Sequence, residues 1–210
     1  DKVRLHGCEP RGALTPAKPN VPGKAHPNGG GFVADTARVA ATAHVGPQAQ
    51  VLGNATVSGR ARIEDFAVVD GATVADQAVV SDYAAVGGGA TVAENAKVRD
   101  CADVSDQTTV TGNARILEHA LLTTRGKTCK GDVTVKGVAH VYGGNLSGSA
   151  LIDGFYAKGN EITGGRWFTW SWGQGKNPGE SGEDFGGLYA DYDFETDHPW
   201  MAADAFGATW

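Results

Sequence analysis

Ala55-Thr56-Val57-Ser58-Gly59-Arg60-Ala61-Arg62-Ile63-Glu64-Asp65-Phe66-Ala67-Val68-Val69 sets the pattern of most of this chain: an aliphatic residue returns every six positions, with a small residue two places before it. Upstream the register holds at Val33, Val39, Val45 and Val51. Downstream it runs through Val74, Val80, Val86, Val92, Val98, Val104, Val110, Ile116 and Leu122. The small column runs from Ala37 to Ala120, with Thr108 standing among the alanines. Each unit is a strand with one apolar side that it cannot bury alone, so the units must stack. Helix-pair solenoids need repeats of roughly 30 to 45 residues. A strand and a turn at this short period leave a parallel β-helix.

The spacing, aliphatic at i and small at i+4, resembles the hexapeptide repeat of left-handed β-helix proteins over residues 31 to 153. The resemblance implies three repeats per triangular coil. It also implies the left hand, against the ordinary preference for right-handed crossovers. The expected fold is therefore all-β, a three-sided, left-handed parallel β-helix. One residue is lost between Val69 and Val74, one is gained before Cys129, another is lost before Leu146, and the register ends at Ile152. This gives about seven coils and, at about 4.8 Å per stacked strand, a prism on the order of 34 Å long. Its ends need lids, because terminal coils expose core and unpaired strand edges.

The 210 residues are 41% hydrophobic, enough for one sizeable core with appendages. A formal charge of −6 argues against nucleic acid, whose binders carry a basic balance, and no apolar run approaches the ~20 residues that span a bilayer. Residues 1–30 hold Pro10, Pro16, Pro19, Pro22 and Pro27 and close on Gly29-Gly30-Gly31, the composition of a linker or extended lead-in segment. We therefore expect a module of a larger, secreted protein. Cys129 falls on a core position; Cys8 and Cys101 can pair if the N-terminal segment runs along the prism.

Every third rung shares a side, and residues flanking the core positions point outward. Side one carries Phe32, Leu52, Val68, Leu121, His140 and Tyr142, an apolar surface that invites a partner, here the chain's own tail. Side two carries the threonine ladder Thr56, Thr73, Thr91, Thr109 and Thr128, good strand residues that stabilise one another and that also form a hydroxyl array for an extended glycan or for ice. Side three is basic, with His44, Arg62, Lys97, Arg99, Arg115 and Lys136; it is either a solvated face compensated by acids such as Glu64 and Asp100, or a site for uronic-acid substituents.

From Gly154 to Trp210 the repeat stops, and all five tryptophans fall here. This aromatic, glycine-rich segment is expected to fold onto the β-helix. Within Arg166-Trp167-Phe168-Thr169-Trp170-Ser171-Trp172 the aromatics alternate as in a strand. They suit either core packing or a platform for sugar rings. Asp191-Tyr192-Asp193-Phe194-Glu195 throws three carboxylates to one side, readable as a charged solvent edge, as a weak calcium site at Asp191, Asp193 and Glu195, or as a glycosidase pair.

Hexapeptide β-helices include acyltransferases and γ-type carbonic anhydrases. Here His44, His119 and His140 are too scattered to share one zinc ion, and no long loop carries a catalytic histidine. Arg125-Gly126-Lys127-Thr128 is like the end of a phosphate loop, but Leu121 stands where the first glycine belongs.

The repeat followed by Gly165-Arg166-Trp167-Phe168-Thr169-Trp170-Ser171-Trp172-Gly173 and His198-Pro199-Trp200-Met201-Ala202 resembles accessory β-helix modules of secreted bacterial proteins that act on plant polysaccharides. These include carbohydrate-binding modules attached to xylan-degrading glycoside hydrolases. The resemblance implies a non-catalytic module, without a required cofactor, that binds xylan or a related β-linked glycan and is carried on the same polypeptide as a catalytic domain. From the chemistry of stacking, the expected ligand contacts are Trp170, Trp172, Tyr142 and Trp200. An acyltransferase-like or other carbohydrate-active enzyme and a structural spacer are the alternatives.

Overall fold

The computed structural model describes residues 19–153, 156–158 and 161–168. These residues form three sheets, one of nine strands and two of eight, wound into a parallel solenoid of about seven turns. Side one stacks Phe32–Ala34, Gln50–Leu52, Val68–Asp70, Ala85–Val86, Asp103–Ser105, Leu121–Thr123, His140–Tyr142 and Tyr156–Lys158. Side two runs from Arg38–Val39 to Glu161–Ile162 and side three from His44–Val45 to Arg166–Phe168. The three-sided all-β helix expected from the six-residue period is the observed architecture.

The columns that define the repeat are the core. Val51, Ile63, Val69, Val80, Val98, Ile116 and Leu122 have no exposed surface, nor do Ala55, Ala61, Ala67, Ala84 and Ala102. Val39, in the first coil, is only partly buried because no complete coil covers it. The pairing continues past Ile152, where the six-residue signature ends. Leu151 and Ile152 pair with Arg166 and Trp167, and Leu146 pairs with the buried Ile162.

A triangular coil must turn sharply after each strand, and most turns use one left-handed residue two places after the core position. Glycine fills it at Gly53, Gly59, Gly71, Gly88, Gly112, Gly131, Gly137, Gly143 and Gly148; acids fill it at Asp65, Asp76, Asp82, Glu94, Asp100, Asp106 and Glu118. The acids have a structural role beyond tolerating this conformation. The amide of the left-handed residue points at the preceding coil, and a carboxylate there accepts it. Glu118 N donates to Asp100 Oδ2 (3.1 Å), Gly137 N to Glu118 Oε2 (2.8 Å) and Gly112 N to Glu94 Oε2 (2.8 Å). Stacked acids thus serve as acceptors for backbone groups that the sheets leave unpaired. Asp100→Ala removes an acceptor and places a Cβ-bearing residue with no such compensation at φ 61°, so it should cost about 1–3 kcal/mol. Asp100→Gly, which keeps the conformation, should cost visibly less in urea denaturation; equal losses would remove the conformational part of this account.

The residue gained before Cys129 is absorbed at one corner. Thr124 is fully buried; its amide donates to Thr108 Oγ1 (2.9 Å), and its hydroxyl bonds both Thr108 Oγ1 (3.0 Å) and Lys127 O (2.9 Å). Thr108 replaces alanine in the small column because the enlarged corner needs a buried hydroxyl there.

Residues 23–31 close two sides of the N-terminal end. Gly23–Ala25 pairs antiparallel with Phe32–Ala34 and covers the edge of side one. On side three, Val45 N donates to Asn28 O (3.0 Å), Gly31 N to Val45 O (2.9 Å) and Asn28 Nδ2 to Ala43 O (2.9 Å). Part of the proline-rich lead-in is therefore a lid that manages exposed strand edges. Cys129 is a buried free thiol, pushed up to about 12 by burial. Cys101 is disulfide-bonded; the expected pairing with Cys8 involves a residue outside the described ones. The expected packing of the tail against the prism concerns residues that also lie largely outside them.

Candidate functional site

Of the residues expected to contact ligand, Tyr142 is described; Trp170, Trp172 and Trp200, and the calcium candidates Asp191, Asp193 and Glu195, lie outside the described residues. Tyr142 sits in the strand His140–Tyr142 on side one, half-buried, with its backbone paired to Thr123 before it and Lys158 after it. The neighbouring outward pair is Leu121 and His140. The strand period thus puts Thr123, His140 and Tyr142 on one face across two rungs.

Arg125 completes the group. Its guanidinium carbon lies 4.6 Å from the Tyr142 ring centroid, a cation–π contact between adjacent coils. His140 meets Tyr142 edge to face at 6.3 Å, and its Nε2 is 3.3 Å from the Thr123 hydroxyl. Partial burial holds the His140 ring below its usual basicity. The result is a small patch with an aromatic ring, a hydroxyl, an imidazole of lowered basicity and a cation, set on a strand surface.

The lowered basicity has a signed consequence. Between the folded pKa and the unfolded value near 6.5, the unfolded chain binds more protons than the folded one, so stability falls as pH drops through that window and levels off below it. His140→Gln should flatten this part of the profile of melting temperature against pH. An unchanged slope would show that other groups set it.

The remaining sides offer different chemistry. On side two Thr56, Thr73, Thr91, Thr109 and Thr128 pair rung to rung. Thr128 bonds Asn145 Oδ1 (3.2 Å), whereas the other four hydroxyls make no hydrogen bond among the described residues. On side three several cations are occupied: Arg62 pairs with Glu64, Arg99 with Asp82 (3.5 Å) and Lys136 with Asp153 (2.6 Å). Asp103 interrupts the apolar surface of side one; its carboxyl is held above the ordinary value chiefly by partial burial, with Asp106 adding and the Ser105 hydrogen bond opposing. At the N-terminal end a hollow of about 650 Å³ is lined by Val33, Ala37, Val39 and Val57 beside Arg38 and Thr56. It is the open mouth of the first coil. No group of three or more His, Cys, Asp or Glu among the described residues is placed to hold a metal ion.

Sequence reasoning found Tyr142 but missed Arg125, because the contact spans an irregular corner. The available signal was the single gained residue between Leu122 and Cys129. It also missed the stack of Phe66 on Tyr83 (4.9 Å between centroids, 3° between planes), where both rings stand three places after core positions at one corner. No family model, curated protein or solved structure matches the chain.

Proposed function

We propose that this chain is a non-catalytic carbohydrate-binding module for an extended plant cell-wall polysaccharide, xylan foremost, carried by a larger secreted glycoside hydrolase. The observation that carries the reading is the Tyr142 patch. An aromatic ring on a strand face, flanked by the hydroxyl of Thr123 and the imidazole of His140, matches what a sugar presents: an apolar C–H face rimmed by hydroxyls. The stacked strands of the solenoid support an elongated ligand, and the hydroxyls of Thr56, Thr73, Thr91 and Thr109, which make no hydrogen bond among the described residues, add a second repetitive surface. Binding of this kind raises the effective concentration of a linked hydrolase on its substrate.

A carbohydrate-active enzyme is the second reading, and the hydroxyl of Thr123 beside His140, whose basicity burial lowers, favours it. Affinity electrophoresis on soluble xylans, glucans and mannans separates the two. Retardation by xylan with the polymer unaltered supports the module. Alteration of the polymer, lost in His140→Ala, supports the enzyme, and no retardation by any polymer defeats the glycan-binding proposal.

A further inference from the structure

Resting on that reading, we propose that the corner loop Thr124–Lys127 is a subsite for carboxylated sugar: Arg125 and Lys127 take the uronate substituent of an acidic β-linked glycan while an adjoining sugar lies against Tyr142. The loop reverses the charge found at its counterparts. The other non-glycine residues in the left-handed region, among those described, are Asp, Glu or Gln; Arg125, at φ 54°, is basic. Residues 119–131 contain Arg125, Lys127 and Lys130 and no acid, in a chain of net charge −6.

Arginine is also a costly residue for this turn. The stacked acids at other corners accept an amide from the next coil, whereas an arginine, which has no acceptor, cannot. Glycine would adopt the same conformation without strain. The loop therefore carries a cation in a strained conformation without the amide bond that the acids make between coils; its one contact among the described residues is the Tyr142 ring, and strained positions of this kind are characteristic of functional sites.

The loop backbone is fixed on both sides, and its cations form no ion pair among the described residues. Thr124 anchors it to Thr108 from inside, Gly126 N donates to Asp106 O (3.0 Å) and Thr109 N to Lys127 O (3.0 Å), fixing the backbone on both flanks. Arg125 and Lys127 are exposed and form no ion pair among the described residues, although Asp106 occupies the same corner one coil earlier and Asp103 the adjoining rung of side one. Arg62, Arg99 and Lys136 are paired, whereas Lys97 and Arg115 on side three, like the loop cations, form no ion pair among the described residues and so serve as the control. Arginine's planar fork suits a carboxylate, and the guanidinium lies over one face of the Tyr142 ring, 4.6 Å from its centroid, so charge and aromatic surface form one contact against which an adjoining sugar would meet the ring's other face or edge.

The test is titration of the full chain, in about 0.15 M salt to screen diffuse attraction, with glucuronoxylan and with the same polymer after reduction of its carboxyl groups. The wild type should hold the acidic polymer about tenfold more tightly. The variant Arg125→Gly with Lys127→Gln, which suits the left-handed turn, should bind both polymers within about twofold of each other. Lys97→Gln with Arg115→Gln removes the same charge from side three and should keep the preference. The subsite is overturned, with glycan binding intact, if the wild type shows no preference, if the loop variant keeps it, or if the side-three variant loses it equally. Binding of neither polymer overturns this inference together with the function on which it rests.

Discussion

Gly112→Ala should be one of the most damaging single-methyl additions to this protein, costing more than about 2 kcal/mol. Gly112 has φ 74°, and a Cβ there would lie 2.6 Å from Gly131 N and 2.9 Å from both Gly131 Cα and O. The obstruction is backbone, which no rotamer change can clear. Neighbouring coils would have to part where Asn113 N donates to Gly131 O (2.9 Å). Gly71→Ala is the control: φ is 62° but no atom lies within 4 Å of the added carbon, so only the conformational cost of about 1 kcal/mol applies. Urea denaturation of the two variants should give clearly different midpoints. Coincident midpoints would mean that close stacking of corners does not limit this solenoid.

The second large effect concerns binding. Tyr142→Ala should weaken xylan binding by at least fivefold to tenfold, since aromatic anchors dominate such contacts and truncating one commonly costs more than about 1 kcal/mol. The fold should survive, because Tyr142 is outside the core while Val141 beside it holds the strand, 1% exposed. Tyr142→Phe keeps the ring and should retain most of the affinity. Undiminished binding by the Ala variant, with unchanged melting, would move the site away from side one.

The core was legible because burial imposes a period: any coil must return a side chain to the axis every six residues, and Val57, Ile63, Val69 and Ala61 do so without regard to what lies outside. The corners were legible in principle through Asp65, Asp82, Asp100 and Glu118. Their role depends on an amide of the next coil, about eighteen residues on, which no local pattern displays. Irregularity was harder. Thr108 stood out among alanines, yet its partner Thr124 belongs to the one gained residue, and the seat of Arg125 over Tyr142 follows from that same corner. Strand alternation put Tyr142 outward, whereas its neighbours came from stacking. Past Ile152 the strands Tyr156–Lys158, Glu161–Ile162 and Arg166–Phe168 extend the sheets on backbone pairing after the six-residue signature has gone, so periodicity could not mark where winding ends.

Calorimetric titration of the chain with soluble xylan, combined with a count of reducing ends before and after, tests the central claim most directly. The account predicts saturable binding, weakened in Tyr142→Ala, with the reducing ends unchanged. Absence of binding, or a rise in reducing ends that depends on the chain, would contradict it.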